Sequence, residues 1–310
     1  MFALLLLMLA APACQQSSPP IAATGTEYRP DQYPAGHLLV TVDWLAAHLD
    51  DPSIRIIDLS PLADYRSGHI PGARHAWWQD TIEVHNDTYG MLVNEEGRAK
   101  LIREAGITPD TKVVLYDASG GRYAARILWM LNAIGFDRAA ILNGGRQAWQ
   151  AAGHALVRDA PSIAPGALEQ RLNYDVLISA DDLHARLDDA SIAIVDNRTL
   201  EEQRETWFGQ LRTGRIPGAV IIPATDMVQS GPIPYYADPQ HLRQRFLDSG
   251  ITPEKTVVVY GQHGSLAAQT YVALRLLGYP SVKVYDGSWA EWGAKDDLPI
   301  EPLPSQAGGR

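Results

Sequence analysis

The sequence predicts an α/β protein made of two tandem units, each a mostly parallel sheet covered by helices on both faces. The first observation behind this is an internal duplication: GITPDTKVVLYD (106–117) returns as GITPEKTVVVYG (250–261), 144 residues later. The second is that the flanking motifs return in the same order. IRIIDLS (54–60) recurs as IAIVDNR (192–198), GHIPGA (68–73) as GRIPGA (214–219), and LNGGRQAW (142–149) as YDGSWAEW (285–292). The third is the alternation of short apolar strands with amphipathic stretches such as VDWLAAHL and ADDLHARL. Parallel strands buried on both faces produce that pattern.

Taken in order, each unit reads as a helix, a strand ending in Asp58 or Asp196, a Pro-Gly turn, a variable excursion, a helix, a strand, a Gly-rich loop, a helix, a strand and a closing helix. In the GITP motif Gly ends a helix, Pro with an acidic residue makes a turn, and four apolar residues follow as a strand. The units are expected at 37–159 and 173–305, and residues 160–172, with Pro161 and Pro165, form the linker. Ahead of them, residues 1–13 read as a signal peptide, because the apolar run from Phe2 to Ala11 is too short to span a bilayer. Ala11-Pro12-Ala13-Cys14 resembles a bacterial lipobox, which makes Cys14 the lipidated first residue of the mature chain. By the same resemblance Gln15 directs it to the outer membrane, facing the periplasm. An ordinary cleaved leader leaves a soluble periplasmic protein instead. Residues 14–36, rich in Ser, Pro and small polar residues, read as a flexible tether.

A chain of 310 residues with 46% hydrophobic and 20% charged residues is long and apolar enough for two folded domains. Its net charge of −10 excludes nucleic acid as a partner and argues against a polybasic membrane patch. Membrane contact is left to a lipid anchor at Cys14. That residue is the only cysteine, so no internal disulfide and no cysteine metal site is possible. There is no HExxH, no His/Cys cluster, no Walker loop and no GxGxxG, so neither metal nor cofactor is expected.

Ligands of parallel sheets sit outside the carboxyl ends of the strands. The candidate loops are therefore the one from Asp117 to Arg122 and the loop Gly261-Gln262-His263-Gly264-Ser265-Leu266. The second reads as successive N–H groups at a helix N-terminus, a cradle for an anion. The alternative is a plain turn with Gly261 and Gly264 chosen for backbone angle. Ser265 has no chemistry without an adjacent base, and His263 is that base only if its ring folds inward, whereas a solvent-facing ring is expected. Arg122 is expected to pair with Asp117 or a neighbouring carboxylate. His69 and Arg215 read as hydrogen-bond donors of the Pro-Gly turns, and Trp77, Trp78, Trp289 and Trp292 as anchors of a core or domain interface.

GHIPGA after an Asp-ended strand, Asp196-x-Arg198, Tyr285-Asp286-Gly287-Ser288-Trp289 and Glu291-Trp292-Gly293 together resemble the tandem rhodanese family of thiosulfate and 3-mercaptopyruvate sulfurtransferases, over about residues 37–300. The resemblance implies two rhodanese-like domains, the first inert with Asp117 in its loop. It implies a second loop that begins with a Cys, which carries sulfane sulfur as a persulfide to cyanide or a thiol. By the same resemblance Arg198 braces the site beside Asp196, or keeps the pocket electropositive. Gly264 matches the family's loop Gly, but Gly261 stands at the Cys position and Leu266 at the sixth, where Arg or Thr is common. No catalytic residue is therefore expected in this loop. The chain reads as a pseudoenzyme whose residues 261–266 bind an anion or small sulfur compound; the alternative is an active sulfurtransferase.

Overall fold

The computed structural model describes residues 25–206 and 212–303, so the expected signal peptide (1–13), Cys14 and the beginning of the tether lie outside the described residues. The first half runs β1 (Leu39–Val40), α1 (Val42–Ala47), β2 (Ile54–Asp58), α2 (Leu62–Ser67), β3 (Ala73–His75), β4 (Ile82–His85), β5 (Thr88–Leu92), α3 (Glu95–Ala105), β6 (Lys112–Tyr116), α4 (Arg122–Ala133), β7 (Ala139–Leu142) and α5 (Gly145–Ala151). The second runs α6 (Ala180–His184), β8 (Ile192–Asp196), β9 (Val220–Ile221), α7 (Pro239–Asp248), β10 (Thr256–Tyr260), α8 (Gly264–Leu276), β11 (Val282–Val284) and α9 (Ser288–Trp292).

The sheets repeat one topology. The first has the order β1-β7-β6-β2-β3, the second β11-β10-β8-β9, and every pairing in both is parallel. Leu177, bridged in parallel to Val284, takes the edge place that β1 holds in the first sheet. The fold is thus two α/β units with mostly parallel sheets flanked by helices.

A buried tyrosine fastens each Pro-Gly turn to its strand-end aspartate. The Tyr116 hydroxyl donates to Asp58 Oδ2 at 2.5 Å and accepts from Ile70 N at 3.0 Å. In the second half the Tyr260 hydroxyl donates to Asp196 Oδ2 at 2.5 Å and accepts from Ile216 N at 3.1 Å. Both aspartates are fully buried, so each needs the full set of donors that the turn supplies. Gly72 and Gly218, at φ 78° and 75°, hold the left-handed position that the turns require.

The variable excursions differ. In the first half it is the β4–β5 hairpin, turned by Asn86 and Asp87, both at positive φ. In the second it is irregular, with a short 3-10 turn at Ala224–Met227.

Helices α4 and α8, buried almost all round, pack against each other, and one continuous apolar core runs across the seam between the halves. The expected tether is overturned from residue 25 onward. Tyr33 is 4% exposed and its hydroxyl donates to Ala237 O at 2.7 Å, Thr26 N donates to Gln229 Oε1, and Asn143 Nδ2 donates to Tyr28 O. These residues form a strap bound to both halves, because Tyr28 and Tyr33 supply aromatic area that a Ser/Pro spacer lacks.

The seam is clasped by charge. Arg126 of α4, with a side chain 0% exposed, donates to Asp286 Oδ1 at 2.6 Å, and Asp286 Oδ2 accepts from Leu92 N at 2.5 Å. At the equivalent place in the first half, Asn143 Oδ1 accepts from Tyr236 N at 2.9 Å, so each half reaches into the other. Removing one partner strands a buried charge. Arg126→Met is therefore expected to cost about 3–5 kcal/mol in denaturant unfolding, and Asp286→Asn added to it to recover a large part of that loss. Additive losses in the double variant contradict the clasp.

Candidate functional site

The loops that follow β6 and β10 share an ancestry in sequence but not a shape. After β6, the buried Asp117 carboxylate accepts from Ser119 N (2.7 Å), Gly121 N (2.9 Å), Tyr123 N (2.8 Å) and Ala124 N (3.0 Å). The first loop is thus an anion cradle already occupied by the chain's own carboxylate. Burial pushes the Asp117 carboxyl upward and the four backbone donors oppose that. This corrects the expected Arg122–Asp117 pair: with its lone pairs taken by backbone N–H groups, Asp117 leaves Arg122 elsewhere. Arg122 turns away, its Nε buried and without an acceptor among the described residues.

The loop after β10 is one residue shorter. Tyr116 and Gly135 are 19 positions apart, their counterparts Tyr260 and Gly278 only 18. Helix α8 accordingly starts at Gly264, and Leu266 N already donates to His263 O at 3.1 Å. A Cβ on Gly261 would stand 2.9 Å from Leu266 Cβ, and one on Gly264 would stand 2.0 Å from Asp286 Oδ1. Gly261 is held through its N–H to Ser288 Oγ at 3.2 Å and its carbonyl to Trp289 N at 3.0 Å. Gln262 is buried beside it, its carbonyl accepting from Ala290 N at 2.9 Å.

His263 also departs from expectation, since its ring folds inward rather than facing solvent. Its Nδ1 and Ser265 Oγ share a hydrogen bond of 2.6 Å. The ring lies parallel to Trp78 (centroids 6.4 Å, 8°) and edge-on to Tyr89 (5.9 Å, 87°). The β4–β5 hairpin holds it there: a Cβ on Gly90 would come within 2.7 Å of His263 Cβ. Burial, then Arg126, then Arg122 push the imidazole down to about 4, so it is uncharged at neutral pH.

These groups line a cavity of about 270 Å³ between the halves, at the carboxyl end of β10. The first half contributes Trp78, Tyr89, Arg122 and Tyr123; the second contributes Glu202, Gln262, His263, Ser265 and Leu266. A larger groove of about 670 Å³, lined by Glu83, Arg98, Tyr174 and Asp182 among others, does not include the loop residues 261–266. We assign the site to the smaller cavity, where the strand ends converge.

Of the other residues singled out in the sequence, Arg198 is an ion-pair partner and does not line the cavity. It is fully buried, bonded to Asp196 at 3.1 and 2.8 Å and to Gly214 O at 2.8 Å, and it lies over the Trp289 ring at 4.4 Å. Trp289 and Trp292 are fully buried in the second core. His69 stacks on Tyr65 (3.9 Å, 8°), and Arg215 pairs with Glu301. Trp78 lies where the halves meet, stacked on Tyr123 (5.0 Å, 6°) and facing His263, and it walls the cavity. Sequence reasoning missed Tyr89, Tyr123 and Glu202. Tyr123 follows Arg122 directly, so the first-half loop could have pointed to it; nothing in the spacing marks the other two.

Comparison with known proteins places this geometry in a family. The rhodanese-like domain model matches residues 41–152 and again 179–295. The 3-mercaptopyruvate sulfurtransferase of Escherichia coli K12 is 34% identical over 281 residues, covering 85% of this chain and 98% of that one. The thiosulfate sulfurtransferase of Azotobacter vinelandii is 36% identical over 272 residues, covering 87% and 99%. The crystal structure of the 3-mercaptopyruvate sulfotransferase SseA from Escherichia coli superposes with a TM-score of 0.72 at 30% identity, covering 81% of this chain and 98% of that one. The chain belongs to the rhodanese family of sulfurtransferases, with the domain present twice.

Proposed function

We propose that the chain is a pseudoenzyme of this family, holding a small, singly charged sulfur acid in the cavity between its halves without forming a persulfide on the protein. One observation carries the reading: the cavity is walled by aromatic rings and Arg122 and contains no thiol, the sole cysteine being Cys14. Sulfane-sulfur relay needs a sulfur nucleophile of lowered pKa. Gly261, at the position where the family resemblance puts that Cys, has no side chain, and a Cβ there would stand 2.9 Å from Leu266 Cβ. The cavity sets one guanidinium, Arg122, beside one carboxylate, Glu202, and an uncharged imidazole. A ligand with a single anionic group finds its charge partner in Arg122.

Two other readings have an observation in their favour. Active sulfur transfer is supported by relatives at 34–36% identity, and it requires a sulfur carrier in the cavity that residues 261–266 do not supply. Acyl transfer is suggested by the 2.6 Å Ser265–His263 bond. An imidazole that takes up its proton only near pH 4 is a weak base for that step, and no acid is bonded to His263 among the described residues. Export through the apolar leader, with Cys14 lipidated at the outer membrane or with the chain soluble in the periplasm, completes the proposal. Its support is the sequence of the first 14 residues.

Calorimetric titration with 3-mercaptopyruvate tests the binding. Saturable binding that Arg122→Gln weakens about ten-fold is expected, the loss of one charge-assisted hydrogen bond; binding indifferent to that change contradicts the assignment. Because His263 is neutral, affinity for the anion should be level from pH 8 to pH 6 and strengthen only as pH falls towards 4. A rise centred near pH 6.5 would show an ordinary, exposed histidine. Gly261→Cys is expected to lower stability by about 1–3 kcal/mol through overpacking against Leu266 and to acquire no sulfane sulfur. Unfolding curves and intact mass together check this, and a stable variant that gains a sulfur atom would show that the loop opens readily.

A further inference from the structure

The aromatic content of the cavity says more than its charge. Trp78 and His263 lie within 8° of parallel, yet their centroids are 6.4 Å apart. Elsewhere in the chain, stacked ring pairs stand closer: Trp44–His48 at 4.1 Å and Tyr65–His69 at 3.9 Å. At 6.4 Å the two parallel rings stand wider apart than a contacting stack, and both border the cavity. Trp78 is held flat from behind by Tyr123 at 5.0 Å and 6°, and His263 is fixed by Ser265 and by the edge of Tyr89. The result is a rigid, parallel-walled slot rather than a collection of mobile side chains. Arg122 lies in the same lining and brings it a guanidinium.

A thioacid of three carbons uses the guanidinium and leaves the ring faces to water. A flat ring uses both. Offset stacking on a preformed aromatic face adds about 0.5–1.5 kcal/mol beyond area burial, and only a planar π-system obtains it. A ring with one carboxylate fits easily within 270 Å³.

From these juxtapositions we infer that the cavity selects a planar aromatic acid, its ring laid on Trp78 and His263 and its carboxylate on Arg122. This rests on the proposed anion site and names its ligand class.

The test is a titration of the full chain, followed by calorimetry and by chemical-shift changes, with three probes: benzoate, cyclohexanecarboxylate and 3-mercaptopyruvate. Benzoate and cyclohexanecarboxylate carry the same charge on rings of the same size, and only the first is flat. Benzoate is expected to bind up to about ten-fold more tightly than cyclohexanecarboxylate. Trp78→Leu should abolish that preference, and Arg122→Gln should weaken all three. Equal affinity for the flat and saturated acids, with 3-mercaptopyruvate still bound, overturns the aromatic selectivity and leaves the anion site standing. A benzoate preference that survives Trp78→Leu overturns the slot. No binding of any probe to a folded chain overturns the anion site and this inference together.

Discussion

The structure depends on a buried charge pair set across the seam of a duplicated fold. Arg126 and Asp286 are withdrawn from water, and neither is tolerable there alone. Their pairing fixes more than the seam. Asp286 lies so close over Gly264 that no side chain fits at that position, and it also receives Leu92 N from the first half. The start of α8, and with it His263 and Ser265, is thereby registered against the hairpin of the other unit. Arg126 further donates towards Gly90 O, and Gly90 is the residue packed on His263. One ion pair therefore positions both walls of the cavity.

The two loops show how the same ancestral turn reaches two chemical ends. In the first half a carboxylate fills the cradle from within and silences it. In the second half the loop is one residue shorter than in the first and the helix begins at Gly264. What the second half keeps is a cavity whose recognition groups are side chains, several of them supplied by the first half.

Much of the fold was legible in the sequence because it rests on local patterns repeated at one spacing. Strand-end Asp58 and Asp196, the Pro-Gly turns and the apolar VVLY and VVVY runs specify the parallel sheets unaided. The site was less legible, since its determinants are distant pairings. His263 turns inward because Trp78, Tyr89 and Gly90 wait for it, and no property of the loop itself announces them. Arg122 lacks its expected partner because four backbone N–H groups reach Asp117 first, a competition invisible in composition. The strap at 25–36 read as spacer because the Ser- and Pro-rich residues just ahead of it set the character of 14–36 and concealed Tyr28 and Tyr33. The shortened loop was visible in principle: the motif offset changes by one residue between GITP and YDGSW, and that change falls at the site.

The central claim is that no sulfur of the chain's own takes part in chemistry at the cavity. Its most direct test is cyanide-dependent thiocyanate formation by the full chain carrying Cys14→Ser, supplied with thiosulfate or 3-mercaptopyruvate. The account predicts a rate indistinguishable from the uncatalysed background and an intact mass without added sulfur. Sustained turnover by that thiol-free chain would contradict it.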